Sequence, residues 1–471
     1  MIFLLFFSLS IAAFFVLKNQ SINYGGNVFL LRSSTLLIAS LFIFLFLFPF
    51  WIFGSASAVG GYDEYHGQVT WFWIKNNFGL DTFLHTYFGG IGVKDSFNSG
   101  NEYLSLYEIL LLILPQYIAG LIYKFIAILL TFIGLFRTAK EGFGLSRETA
   151  FIVSIFSISI GYVNYQFALG GNGMMIAILA LSYPVFFLRK EKIEQNILFT
   201  IFLLLVVFCT NPLTFLPVFI VHYLAVLAIF YDKNKIQKLK RDSIILISVC
   251  LISILNWFYS FVILFQIFEE SARVALTGPK SLYEVFREYC FEVYFFFRKE
   301  PHLSFLSLFV LFFFRDKEFL VKVIYSGLII FFLPLVMQLI SFFLDIPLVR
   351  NYRWPQLFYS FEIFFGLLII YFLSRNIHKV NNFLFVISLA AISSYGLSTN
   401  VLNILEIREN QGGYNARSEF EILNKLSLRK EDFRVISMNY SPPPMIPIFY
   451  GLSTFDGAVT CLLYTSPSPR D

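Results

Sequence analysis

Charge is the first scarcity. Asp, Glu, Lys and Arg make up only 14% of the 471 residues while 58% are hydrophobic, so a water-facing surface of ordinary polarity cannot be assembled from this chain. That excludes a soluble globular protein. Cysteine is scarce as well: Cys209, Cys250, Cys290 and Cys461 form no CxxC pair and have no His companion at ligand spacing, so neither a disulfide framework nor a structural zinc site is encoded. P-loop, GxGxxG, heptad and solenoid signatures are missing too, which removes the usual supports for soluble nucleotide chemistry.

What the chain has instead is apolar length, with 62 Phe and a mean hydropathy of +0.72. Runs of about 20 apolar residues match a hydrocarbon core of roughly 30 Å crossed by helices, and no ten-residue alternation points to a barrel. The expected fold is all-α: a polytopic transmembrane bundle of about twelve spans over residues 1–399. The spans fall at 1–17, 35–54, 116–136, 149–168, 172–188, 196–210, 213–231, 243–267, 303–314 extended backwards, 319–344, 357–374 and 383–399. The first run lacks a basic leader and a small-x-small cleavage site, so it is expected to stay as a span.

Lys and Arg collect in alternate loops, as cytoplasmic loops do. Lys18, Arg32, Arg137, Lys140 and Arg147, then 189–192, 232–242, 315–318 and 374–379, fall on one face. The net charge of +5 is therefore a topology signal, and no nucleic-acid partner is expected. The opposite face receives loop 55–104, loop 268–302 and the short segment 345–356. From residue 400 to 460 the sequence turns charged and then strand-like, which predicts the start of an external α/β domain. The final "CLLYTSPSPRD" (461–471) departs from the preceding pattern and reads as a non-native tail, so that domain is expected to be truncated.

The chemistry-bearing residues gather in loop 55–104. "GYDEYHGQ" places Asp63, Glu64 and His66 together, and Asp81, His85, Asp95 and Glu102 follow among aromatics such as "WFW" at 71–73. So aromatic a loop is expected to fold onto the bundle, with its acids lining a cleft. Paired carboxylates there suit a transferase, because an alcohol nucleophile needs a general base and a departing phosphate needs a cation. Asp63 and Glu64 are the candidate catalytic pair, Asp63 as the base and Glu64 open to a role as metal ligand or as a partner behind one. Asp63 and Asp95 are the candidate ligands of a divalent cation, Mg or Mn. "LVRNYRWPQLFY" at 348–359 supplies Arg350 and Arg353, whose planar forks bind phosphate oxygens, with Trp354 beside them. An interfacial anchor is the bland alternative for those three.

Ionisable groups inside spans are functional candidates by default. Glu362 lies near Arg353 in sequence and is expected either to contact substrate or to be neutralised by that arginine. Lys124 is expected to snorkel, and His222 to bond a neighbouring carbonyl. Asn164, Gln166 and Asn172 gather near one end of two spans, where they satisfy a sugar's hydroxyls or cap helix ends.

A bundle whose early external loop opens on an acid, followed by many spans and an external C-terminal domain, resembles the GT-C membrane glycosyltransferases. Within that layout the chain is most similar to the YkoS-like bacterial membrane proteins. The stretches that carry this are "YDEYHGQVTWFWI" at 62–74, Arg-x-x-Arg-Trp-Pro at 350–355 and "YGLSTFDG" at 450–457. The resemblance implies a sugar moved from a polyprenyl-phosphate donor to an envelope glycan or lipid acceptor, at the external face of a bacterial cytoplasmic membrane. It carries a catalytic role to Asp63. His66 is then cleft lining, and span 1–17 stands outside the family's core pattern. The competing expectation is a polytopic transporter or lipid flippase for envelope polysaccharide precursors, which calls for ionisable groups near the midplane on broken helices.

Overall fold

The computed structural model describes residues 2–20, 33–54, 106–159, 163–164, 167, 173–186, 193–209, 212–230, 247–248, 251, 281–299, 317–344, 366–370, 372, 382–411, 434–435 and 453–454. These residues are helical almost throughout. The helices are α1 (Ile2–Gln20), α2 (Ser33–Phe46), α3 (Phe48–Phe53), α4 (Leu106–Ile113), α5 (Gln116–Arg137), α6 (Arg147–Ser159), α7 (Gly173–Phe186), α8 (Ile193–Cys209), α9 (Pro212–Phe230), α10 (Leu282–Lys299), α11 (Lys317–Leu344) and α12 (Asn382–Gln411). The helical account of the chain therefore stands. Among the described residues four helices are long and apolar enough to cross a membrane, over Ile2–Asn19, Tyr117–Gly142, Leu320–Ile340 and Phe385–Glu406. Shorter apolar helices cover Ser34–Phe46, Gly173–Phe186, Ile197–Val206 and Val218–Ala228. Most of the expected spans at 243–267 and 357–374, and all of 303–314, lie outside the described residues.

The centre is built from α5, α6 and α7. In α6 every residue but Glu148 is buried, and in α7 all are. Gly134 on α5 lies against Ala180 and Leu181 on α7, while Gly173 lies beside Ala127. Both contacts advance in the same direction, so α5 and α7 run parallel and touch directly, while α6 packs on α5. A Cβ on Gly134 would stand 2.6 Å from the Ala180 carbonyl oxygen, so only glycine allows the two backbones to come this near. Hydroxyls inside these helices are satisfied locally: Thr131, Ser154 and Ser157 each donate to the carbonyl four residues back, the way a polar group is carried through an apolar medium.

α2 breaks at Leu47 because Pro49 has no N–H to continue the ladder, and α3 restarts from Leu47, whose carbonyl accepts from Phe50 at 2.9 Å. α1 packs on α6 and α12. Arg147 at the start of α6 donates from Nε to Thr35 Oγ1 and from Nη2 to Ser34 Oγ, both at 2.6 Å. A residue read as a topology charge is thus also a buried clamp between α6 and α2. α5 ends in a π-turn, Thr138–Gly142, across which Arg137 pairs with Glu141 at 3.0 Å.

Two elements were not foreseen. α4 packs on α5, and α10 packs on α11 within the expected loop 268–302. Tyr289 of α10 donates its hydroxyl to the Phe331 carbonyl at 2.6 Å. α12 runs through residue 399, where the sequence suggested the bundle would end, to Gln411. Beyond it Arg434–Val435 and Ser453–Thr454 pair in parallel, joining the "RVISMNY" stretch to the "YGLSTFDG" element.

Candidate functional site

Asp63, Glu64, His66 and Asp95 lie outside the described residues, as do Arg350, Arg353, Trp354 and Glu362. The structure does describe both places where loop 55–104 joins the bundle. At its start, α3 ends at Gly54, whose φ of 49° turns the chain away in a conformation that glycine adopts without strain. Gly54 lies against the Tyr117 ring. At its finish, Tyr107 on α4 packs on Tyr123, with ring centroids 5.0 Å apart. Tyr117 and Tyr123 both belong to the first two turns of α5. Both ends of the acidic loop are therefore anchored on the same short stretch of one helix.

Lys124 sits in that stretch. It is 7% exposed, and its ammonium stands 5.7 Å from the centre of the Phe50 ring on α3. The expectation that it snorkels is corrected here, since a snorkelling lysine keeps its head in water and this one is turned into the protein. Facing an aromatic ring offsets part of the cost of holding a cation there. A buried cation thus lies under the anchorage of loop 55–104.

The amide cluster resolves differently. Asn164 donates from Nδ2 to the Ser159 carbonyl at 3.0 Å and the Gly396 carbonyl at 2.9 Å, and its Oδ1 accepts from Asn400 Nδ2 at 2.8 Å. Asn400 also donates to the Asn164 carbonyl at 3.1 Å. Both amide protons of Asn164 are spoken for, so of its two expected roles the structure selects the helix-end lock over the sugar contact. A Cβ on Gly396 would run into the Ser159 carbonyl, which makes glycine part of the same lock between α6 and α12. Gln166 and Asn172 lie outside the described residues.

His222 on α9 is fully buried, and its Nε2 pairs with the Tyr183 hydroxyl of α7 at 2.6 Å. Sequence reasoning found His222 but not its partner, because nothing in a sequence relates positions 183 and 222 before the helices are packed. One turn further along α9, the Ala225 carbonyl accepts from Ser326 of α11 at 2.7 Å. Among the described residues no group of three or more His, Cys, Asp or Glu side chains is arranged to hold a metal. The expected ligands Asp63 and Asp95 are not among those residues. Cys209 and Cys290 form no disulfide.

No family model matches the chain, and no curated protein or solved structure matches it either.

Proposed function

We propose that the chain is a polytopic membrane glycosyltransferase of GT-C type. It moves a sugar from a polyprenyl-phosphate donor to an envelope acceptor at the external face of a bacterial cytoplasmic membrane. The observation that supports this is Lys124, a buried cation beneath the point where both ends of the acidic loop attach. A charge kept inside an apolar bundle is costly, and such groups mark functional positions.

In this reading Asp63 takes the proton of the acceptor alcohol as its oxygen attacks the anomeric carbon. The bond from that carbon to the phosphate oxygen breaks, and the lipid phosphate leaves with the electron pair. Lys124, Arg350 and Arg353 receive the negative charge that develops on it. Glu64 orients the base. His66, Trp354 and Glu362 line the sugar's place. The transporter reading draws on the Tyr183–His222 pair, a polar contact inside the apolar bundle.

A transfer assay in detergent micelles separates the two, because micelles have no compartments to transport between. The purified protein is given a radiolabelled extract of lipid-linked sugars and an envelope glycan fraction. Label should move to the acceptor, and Asp63→Asn should reduce this by on the order of 10²-fold, as loss of a general base does. Wild-type protein that transfers nothing in micelles yet moves labelled lipid across vesicles would establish the transporter instead.

A further inference from the structure

α10 has three flanks. With about 100° of rotation per residue, Val285 and Tyr289 share the flank docked on α11, Val285 buried and Tyr289 half-buried. Leu282, Phe286 and Cys290 share the next, and all three are exposed. Glu284, Arg287, Glu288 and Arg298 share a third, interrupted by Phe291, with Arg287, Glu288 and Arg298 exposed. One helix therefore carries a docked line, an exposed apolar line and a charged line.

The depth of the docking point says where this happens. Phe331, which accepts the Tyr289 hydroxyl, stands in the middle of the apolar window Leu320–Ile340, about 16 Å from one end and about 14 Å from the other at 1.5 Å per residue. A hydrocarbon core is roughly 30 Å thick, so the anchor falls near its middle and not at a headgroup layer. Pro334, three residues on, removes the donor that the Ile330 carbonyl would otherwise use. The exposed face of α11 itself, Ile324, Leu328, Phe332 and Val336, recurs at helical spacing and is apolar throughout, continuous in character with the Leu282–Phe286–Cys290 flank.

From these observations we propose that α10 is embedded at the depth of the membrane's middle. Its Leu282–Phe286–Cys290 flank lies against lipid chains, and its Glu284–Arg287–Glu288 flank lines a water-filled vestibule that reaches the middle of the membrane. Charged side chains at that depth persist only where a protein partner or water solvates them. The vestibule offers a polar head a hydrated route beside an apolar wall for its tail. It does not depend on the transferase reading, since a transporter would use the same feature.

Phe286 and Glu288 make the test sharp, because they stand about 200° apart on the helix while being two residues apart in sequence. Phe286→Cys and Glu288→Cys are each made in a Cys290→Ser background, labelled with bimane, and compared with that background alone. The proteins are reconstituted into vesicles whose lipids carry bromines at the 4,5, 6,7, 9,10 or 11,12 acyl positions, with iodide supplied to both sides. Label at 286 should be quenched most by the 9,10 or 11,12 lipids, and label at 288 should be quenched by iodide several-fold more than label at 286. Leu282→Cys, on the same flank and 41% exposed, repeats the lipid-side measurement should Phe286→Cys fail to fold. Strongest quenching by the 4,5 lipids would make α10 an ordinary surface helix and overturn the proposal. So would iodide reaching both positions equally, or neither.

Discussion

The centre of the bundle and its α11 edge have nearly the same apolar character, yet they are packed in opposite ways. α7 is buried on every side, whereas α11 leaves Val321, Ile324, Tyr325, Leu328, Phe332, Val336, Ile340 and Phe343 exposed along one face. Apolarity does not distinguish them, because lipid chains are as apolar as leucine and give no hydrophobic reason for one helix to prefer another. Close approach and hydrogen bonds distinguish them. Gly134 and Gly396 let backbones touch at the centre, and Asn164 and Asn400 bind α6 to α12. On α11, Gly327 has no neighbour within 4 Å of where its Cβ would stand.

The sharpest way to break this contrast is to place a side chain where the centre admits none. Gly134→Leu drives carbon into the Ala180 carbonyl and should cost about 3 kcal/mol or more, read as a large fall in thermal midpoint in detergent. Gly327→Ala should do the reverse, gaining about 0.5–1 kcal/mol by replacing a helical glycine where there is room. Next in size, Asn400→Ala removes both donors to Asn164 and should cost about 1–2 kcal/mol. Denaturant titration followed by circular dichroism measures it. Tyr183→Phe deletes only the hydroxyl that meets His222, for about 1 kcal/mol. Val336→Leu on the exposed face of α11 should stay within about 0.5 kcal/mol. An equal response at Gly134 and Gly327 would dissolve the distinction between centre and edge.

The sequence disclosed what depends on long uniform runs, and the helices at 2–20, 116–137, 193–209, 212–230 and 317–344 lie within a few residues of where apolarity placed them. α10 escaped because charge was read as a mark of exterior loop. Its pattern was present all the same, with Leu282, Val285, Phe286, Tyr289, Cys290 and Val293 recurring at three and four residues. Asn164 was noticed, but its role turned on Gly396 and Asn400, more than 230 residues away. Lys124 was visible as an ionisable group in a span, and only packing could reveal Phe50 beside it. The acids of loop 55–104 were the easiest residues to single out. What the structure adds to them is the pair of anchor points on α5 and the cation below.

That cation is the most direct place to test the account. Met has nearly the shape of Lys without its charge, and exchanging a buried charge for an apolar isostere is often neutral or stabilising for the fold. Binding of a polyprenyl monophosphate in detergent is measured for wild type and Lys124→Met, alongside the thermal midpoint of each. The account predicts affinity weakened about tenfold or more, as for loss of a charge-assisted contact worth roughly 1.5–3 kcal/mol, with the midpoint held or raised. Unchanged affinity with a lowered midpoint would show Lys124 to be a structural group and would contradict a phosphate site beneath the acidic loop.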